Sequence, residues 1–156
     1  FLGRRATALA RIDLLNKISQ NFDVTVYTHA DCKDILPTAI YGGKIDYYDT
    51  MPTVFQHSKI NLNITLKTIQ TGIPLRAWDI LGCGGFLLTN FQQELCDFFI
   101  PGEDFVYYES PADAIEKAAY FLSHDRERQE IAHNAFEKIA ASHTFHHRVQ
   151  SMFDII

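Results

Sequence analysis

Arg76 and Asp79 stand three residues apart inside the segment IPLRAWDILGCGGFLLTN, Ile73 to Asn90. Three residues is close to one helical turn, so in a helix the guanidinium and the carboxylate project from one face. The neighbouring residues argue for that helix. Pro74 suits a helix start, because its missing N–H removes a donor that would lack an intrahelical partner, and the glycines at 82, 84 and 85 close the element. The expected span is about Leu75 to Cys83. Phe86-Leu87-Leu88-Thr89 then forms a continuous apolar run of strand length, the pattern of a strand covered on both faces of a parallel sheet. The charged pair therefore occupies the opening turns of a helix that leads into a sheet. From spacing alone it reads equally as an exposed i, i+3 pair worth a few tenths of a kcal/mol.

The rest of the chain alternates helices and strands. Ala8, Leu9, Ile12, Leu15 and Ile18 recur at helical spacing between Arg4 and Gln20, and Asp23 to Thr28 alternates as a strand. Asp31 to Lys44, with Pro37 and Gly42-Gly43, reads as a loop. Ile45 to Tyr48 reads as a short strand, Asp49 as the cap of a helix from Thr50 to Ser58, and Lys59 to Ile64 as a strand. Beyond the central segment the pattern gives a helix over Phe91 to Phe99, a strand over Phe105 to Tyr108 and a helix capped by Ser110 that runs to Ser123. Two more helices follow, Asp125 to Ala141 and Thr144 to Ile156. This order predicts a doubly wound α/β fold, a Rossmann-like parallel sheet with helices on both faces. Such sheets bind ligands where βα loops converge at the carboxyl ends of strands. The loops at issue are Leu2 to Arg5, Thr28 to Asp31, Ile64 to Arg76 and Thr89 to Gln93; the third is long and carries Thr65, Thr68, Thr71 and Gly72.

Composition limits the function. The 156 residues make about one domain, and 47 % hydrophobic with 21 % charged residues is ordinary for a globular protein. A net charge of −5 argues against nucleic acid as a partner, so an anionic ligand must be held by a few local groups. No apolar run is long enough to cross a bilayer and no signal peptide is visible. Cys32, Cys83 and Cys96 are odd in number and lack metal spacing, which suggests reduced thiols in a cytoplasmic protein. His143, His146 and His147 share a helical face but have no Cys, Asp or Glu at ligand spacing beside them, so no metal is expected there. Phe1-Leu2-Gly3 reads as the end of a strand, and the chain as a domain of a larger protein.

Several segments together resemble a known family: KINLNIT at Lys59 to Thr65, GIPLRAWDILGCGGFLLTN at Gly72 to Asn90, the helix pair DAIEKAAYFLSHDRERQEIAHNAFEKI, and the ending HTFHHRV. Their order and spacing are similar to the C-terminal half of group 1 glycosyltransferases, in particular the spore-maturation-protein-like branch. The resemblance implies a GT-B arrangement, two Rossmann-like domains facing each other across a cleft, with this chain, residues 1–156, as the nucleotide-sugar-binding half. The partners implied are a nucleotide-diphosphate sugar as donor substrate and an N-terminal acceptor-binding domain of the same protein. No separate cofactor and no metal are implied.

By the same resemblance Asp79 takes the place of the second Glu of a Glu-x7-Glu pair and accepts hydrogen bonds from the ribose hydroxyls, while Thr71 stands at the first Glu position. Arg76 faces the diphosphate and is the expected catalytic residue, stabilising the leaving group without a divalent ion. Gly3 and Arg4 match a glycine loop that lets backbone approach the diphosphate, Ile45 and Tyr47 lie in the segment that lines the base, and Asn63, Thr65 and Gly72 border the ligand. Tyr48 is a further candidate for the base. The expected activity is hexosyl transfer, silent in this domain alone because the acceptor site lies elsewhere. The alternative, supported by Thr71, is a non-catalytic Rossmann-like module for nucleotide binding or assembly.

Overall fold

The computed structural model describes residues 2–65 and 72–154. Within them the chain forms helix α1 (Leu2–Ser19), strands β1 (Thr25–Tyr27) and β2 (Ile40–Gly43), helix α2 (Met51–His57), strand β3 (Asn61–Asn63), helix α3 (Leu75–Gly82), strand β4 (Leu87–Asn90), a 3-10 turn (Gln93–Asp97), strand β5 (Val106–Tyr108), and helices α4 (Pro111–Ser123), α5 (Asp125–Ser142) and α6 (Phe145–Phe153). Every strand pair is parallel, and helices flank the strands, so the α/β, Rossmann-like class holds. The hydrogen bonding divides the expected sheet: β3, β4 and β5 form a three-stranded ladder in that order, and β1 and β2 pair separately.

β4 is the centre of the larger sheet, and its run of apolar residues has the expected cause. Successive strand residues point to opposite faces. Leu88, with Phe86, Val106 and Tyr108, packs against Leu14 and Ile18 of α1, Ala114, Ala118 and Phe121 of α4, and Ile131 of α5. Leu87 points the other way, into Ala77, Ile80 and Leu81 of α3, with Phe55, Leu95, Phe99, Phe105 and Ala135. Both faces are covered, so no polar alternation is needed.

The step from α3 to β4 is a Schellman motif. Gly84 N–H donates to Leu81 O at 3.0 Å and Gly85 N–H to Ile80 O at 2.9 Å. Gly84 has φ +73°, the left-handed conformation that favours glycine. Gly85 is needed for space: a Cβ there would stand 2.7 Å from Phe55 O and 2.7 Å from the Asn61 side chain. Asn61 itself donates to Phe55 O at 2.9 Å, satisfying a carbonyl in the last turn of α2.

Four expectations are corrected. Leu2 to Arg5 is not a loop after a strand: Gly3 and Arg4 lie in the first turn of α1. The second strand is Ile40–Gly43 and not Ile45 to Tyr48, because Asp46 Oδ1 accepts the N–H groups of Tyr48 and Asp49, each at 2.8 Å, which folds that segment into a turn. Asp49 does not cap α2; Thr50 occupies the cap position without a side-chain bond. Between Phe91 and Phe99 the chain makes only the 3-10 turn, with Leu95 and Phe99 buried. Thr71, Thr68 and the last residues of the expected terminal helix, 155 and 156, lie outside the described residues.

Candidate functional site

A helix that connects parallel strands starts on the carboxyl side of the strand before it, so α3 presents its first turns at the carboxyl rim of the sheet. Ala77, Ile80 and Leu81 face inward and are buried, which leaves Arg76 exposed and Asp79 half-buried on the remaining faces. Tyr47 reaches Asp79 from the turn after β2, and its phenol donates to Oδ2 at 2.5 Å. That bond is the main cause of a phenol pKa raised above its ordinary value; burial and the Asp79 charge add to it, and the Arg76 charge opposes it. Three residues expected at one site, Tyr47, Arg76 and Asp79, are thus brought together from the turn after β2 and the first turns of α3. Arg76 and Asp79 make no ion pair with each other among the described residues. Ile45 is half-buried just before this turn. Tyr48 is 83 % exposed, with its ring edge-on to that of Tyr47 at 5.2 Å.

Asn63 and Thr65 are placed differently from the expectation. Both are buried, and their polar groups serve the rim itself. Asn63 Nδ2 donates to Thr65 Oγ1 and to Thr89 Oγ1, each at 3.0 Å; Thr65 N–H donates to Asn90 Oδ1 at 2.7 Å. Arg11 donates to Ile64 O at 2.8 Å, and the Tyr108 hydroxyl to Asn63 O at 3.3 Å, its phenol pKa pushed up by burial. This network ties the carboxyl ends of β3, β4 and β5 to α1. Gly72 is exposed at φ +95°, and its N–H donates to Glu94. Gly3 and Arg4 belong to the first turn of α1 and not to a strand-to-helix loop.

The neighbour of Asp79 on α3 anchors the opposite end of the chain. The Trp78 ring meets Phe98 at 5.6 Å, Phe99 at 5.3 Å and His143 at 5.3 Å, and the Arg148 guanidinium lies over it at 5.7 Å. Arg148 donates to His143 Nδ1 at 3.0 Å, and Thr144 Oγ1 bonds His147 Nδ1 at 2.7 Å while it caps α6. His143 and His147 are therefore occupied in the α5–α6 junction. Among the described residues no three His, Cys, Asp or Glu side chains are grouped to hold a metal ion.

Sequence reasoning missed the Tyr47–Asp79 bond and the part of Arg11 at the rim. Neither has a local signal: the first pair is separated by 32 residues and the second contact by 53. A family model described as glycosyl transferase-like matches residues 5–154. No curated protein matches the chain.

Proposed function

The chain belongs to the glycosyl transferase-like family, and from that premise we propose that it binds the nucleotide-diphosphate sugar donor of a glycosyltransferase, as the C-terminal half of a GT-B enzyme. The observation that carries this reading is the convergence of Tyr47, Arg76 and Asp79 at the carboxyl rim of a parallel sheet. Asp79 accepts the ribose hydroxyls: Tyr47 takes one lone pair of Oδ2, and a carboxylate offers about four acceptor positions. Arg76, exposed and without an ion pair among the described residues, meets the diphosphate and stabilises it as the glycosidic bond breaks. Ile45, Tyr47 and Tyr48 border the base, Gly72 the phosphates, and Gly3 with Arg4 approaches them from the start of α1. Asn63 and Thr65 support the rim.

Catalysis in this reading needs no divalent ion, and the acceptor and any general base come from an N-terminal domain, so the chain alone binds donor without transferring sugar. A cytoplasmic setting is part of the reading; Cys32, Cys83 and Cys96, none in a disulfide, suit it. No helix among the described residues is long and apolar enough to cross a membrane.

Calorimetric titration with UDP and GDP tests the proposal. One of the two binds the wild-type chain, and Asp79→Ala weakens it about tenfold or more, the scale of losing charge-assisted hydrogen bonds. Arg76→Ala weakens the diphosphate more than the corresponding nucleoside. Absence of binding by either nucleotide, or equal binding by Asp79→Ala, overturns the reading.

A further inference from the structure

Asp79 sits within a turn of Arg76, at the spacing where a carboxylate and a guanidinium on one helix face ordinarily pair. They do not pair here. The Asp79 carboxylate is turned to the Tyr47 phenol, whose hydroxyl donates to Oδ2 at 2.5 Å across 32 residues of sequence. We propose that Tyr47 is a positioning residue for the donor site: its phenol holds Asp79 away from Arg76, keeping the carboxylate for hydroxyl groups and the guanidinium for phosphate. This inference rests on the donor-site reading above.

The competition is physical. An Asp on an exposed helix face has several χ1 rotamers within reach, and a cation three residues away favours the one that neutralises both charges. Such a closed pair removes the two groups that a nucleoside diphosphate needs, and a ligand must break it before it binds. The Tyr47 hydroxyl offers Asp79 a partner that carries no charge and uses one lone pair of one oxygen. No described group donates to Oδ1. The same bond joins the turn after β2 to α3, so the segment beside the base and the carboxylate beside the ribose are set together. The turn is itself held by Asp46, which gives Tyr47 a fixed point of attachment.

The test measures UDP and GDP affinity by calorimetry for the wild-type chain and for Y47F, D79A, R76A and Y47F/R76A, with thermal melting of each. Tyr47→Phe keeps the ring and removes the hydroxyl. It weakens binding of the preferred nucleotide about tenfold with no change in melting temperature beyond a degree or so, and it has little effect in the R76A background, where the competing cation is gone. A tyrosinate absorbance titration gives an independent readout: D79N moves one tyrosine midpoint to lower pH. If Y47F binds as tightly as wild type while D79A does not, the donor site stands and the role given to Tyr47 falls. The inference is also overturned if Y47F costs as much in the R76A background as in wild type, since Tyr47 then acts on the nucleotide directly, or if D79N leaves every tyrosine midpoint in place. Loss of nucleotide binding from the wild-type chain removes the donor site and this role together.

Discussion

His143 is a structural side chain, packed in a way that its spacing from His146 and His147 does not show. Partial burial among Trp78, Phe98 and Phe99 disfavours its charged form, and the Arg148 and His147 charges act in the same direction, so its pKa lies below the ordinary value for imidazole. Arg148 donating to Nδ1 requires the neutral ring. The sign of the pH effect follows. The unfolded chain takes up the proton first, so the contribution of this junction is complete above the ordinary imidazole pKa of about 6.5 and is lost as pH falls from there through the lower native value. Denaturant midpoints at pH 7.5 and 5.5 should differ more for wild type than for His143→Phe, which keeps an aromatic ring and cannot titrate. A pH dependence unchanged by that substitution assigns the acid sensitivity to other groups. The histidine spacing was plain in the sequence; that the His143 ring packs on Trp78 was not, because Trp78 lies in α3 and His143 just after α5, with β4, β5 and α4 between them.

At the scale of the element, the α3–β4 step was legible almost residue by residue. Pro74, the glycines and the apolar run marked the helix and the strand to within a residue or two, because each signal is local: a missing donor, a left-handed backbone, a pleated surface buried on both sides. The segment between β2 and α2 was misread for the complementary reason. Its residues Ile45-Asp46-Tyr47-Tyr48 alternate like a strand, yet one Asp side chain accepting two backbone N–H groups turns the chain. Gly85 offers the sharpest check at this scale. Gly85→Ala drives a methyl against Phe55 O and Asn61 and should cost about 1–3 kcal/mol, the range for overpacking a filled site. Urea unfolding of the variant measures it. A loss under about 0.5 kcal/mol means that α2 and β3 can move apart there, and the close approach does not hold the step.

For the whole molecule, the consequence of a sheet covered on both sides is that neighbouring residues of β4 report on different layers. Leu87 and Leu88 are each about fully buried, one against α3 and the other against α1 and α4. Truncation of either to Ala should cost about 2–5 kcal/mol, and the double variant should not fold. Melting curves for both single variants check this; a mild effect at one position alone shows that its helical layer is loosely held. What the sequence determined by itself was the order of helices and strands, the α/β class, and the presence of Arg76 and Asp79 on one short helix, since all three depend on periodicity and on residues that stop or start an element. What only the tertiary structure decided was which groups meet at the rim: Tyr47 on Asp79, Arg11 on the carbonyl after β3, and Asn63 on Thr65 and Thr89. Apart from the Asn63–Thr65 bond, those contacts join residues tens of positions apart, and whether a polar side chain faces solvent or a neighbouring strand is settled by packing that no local pattern encodes.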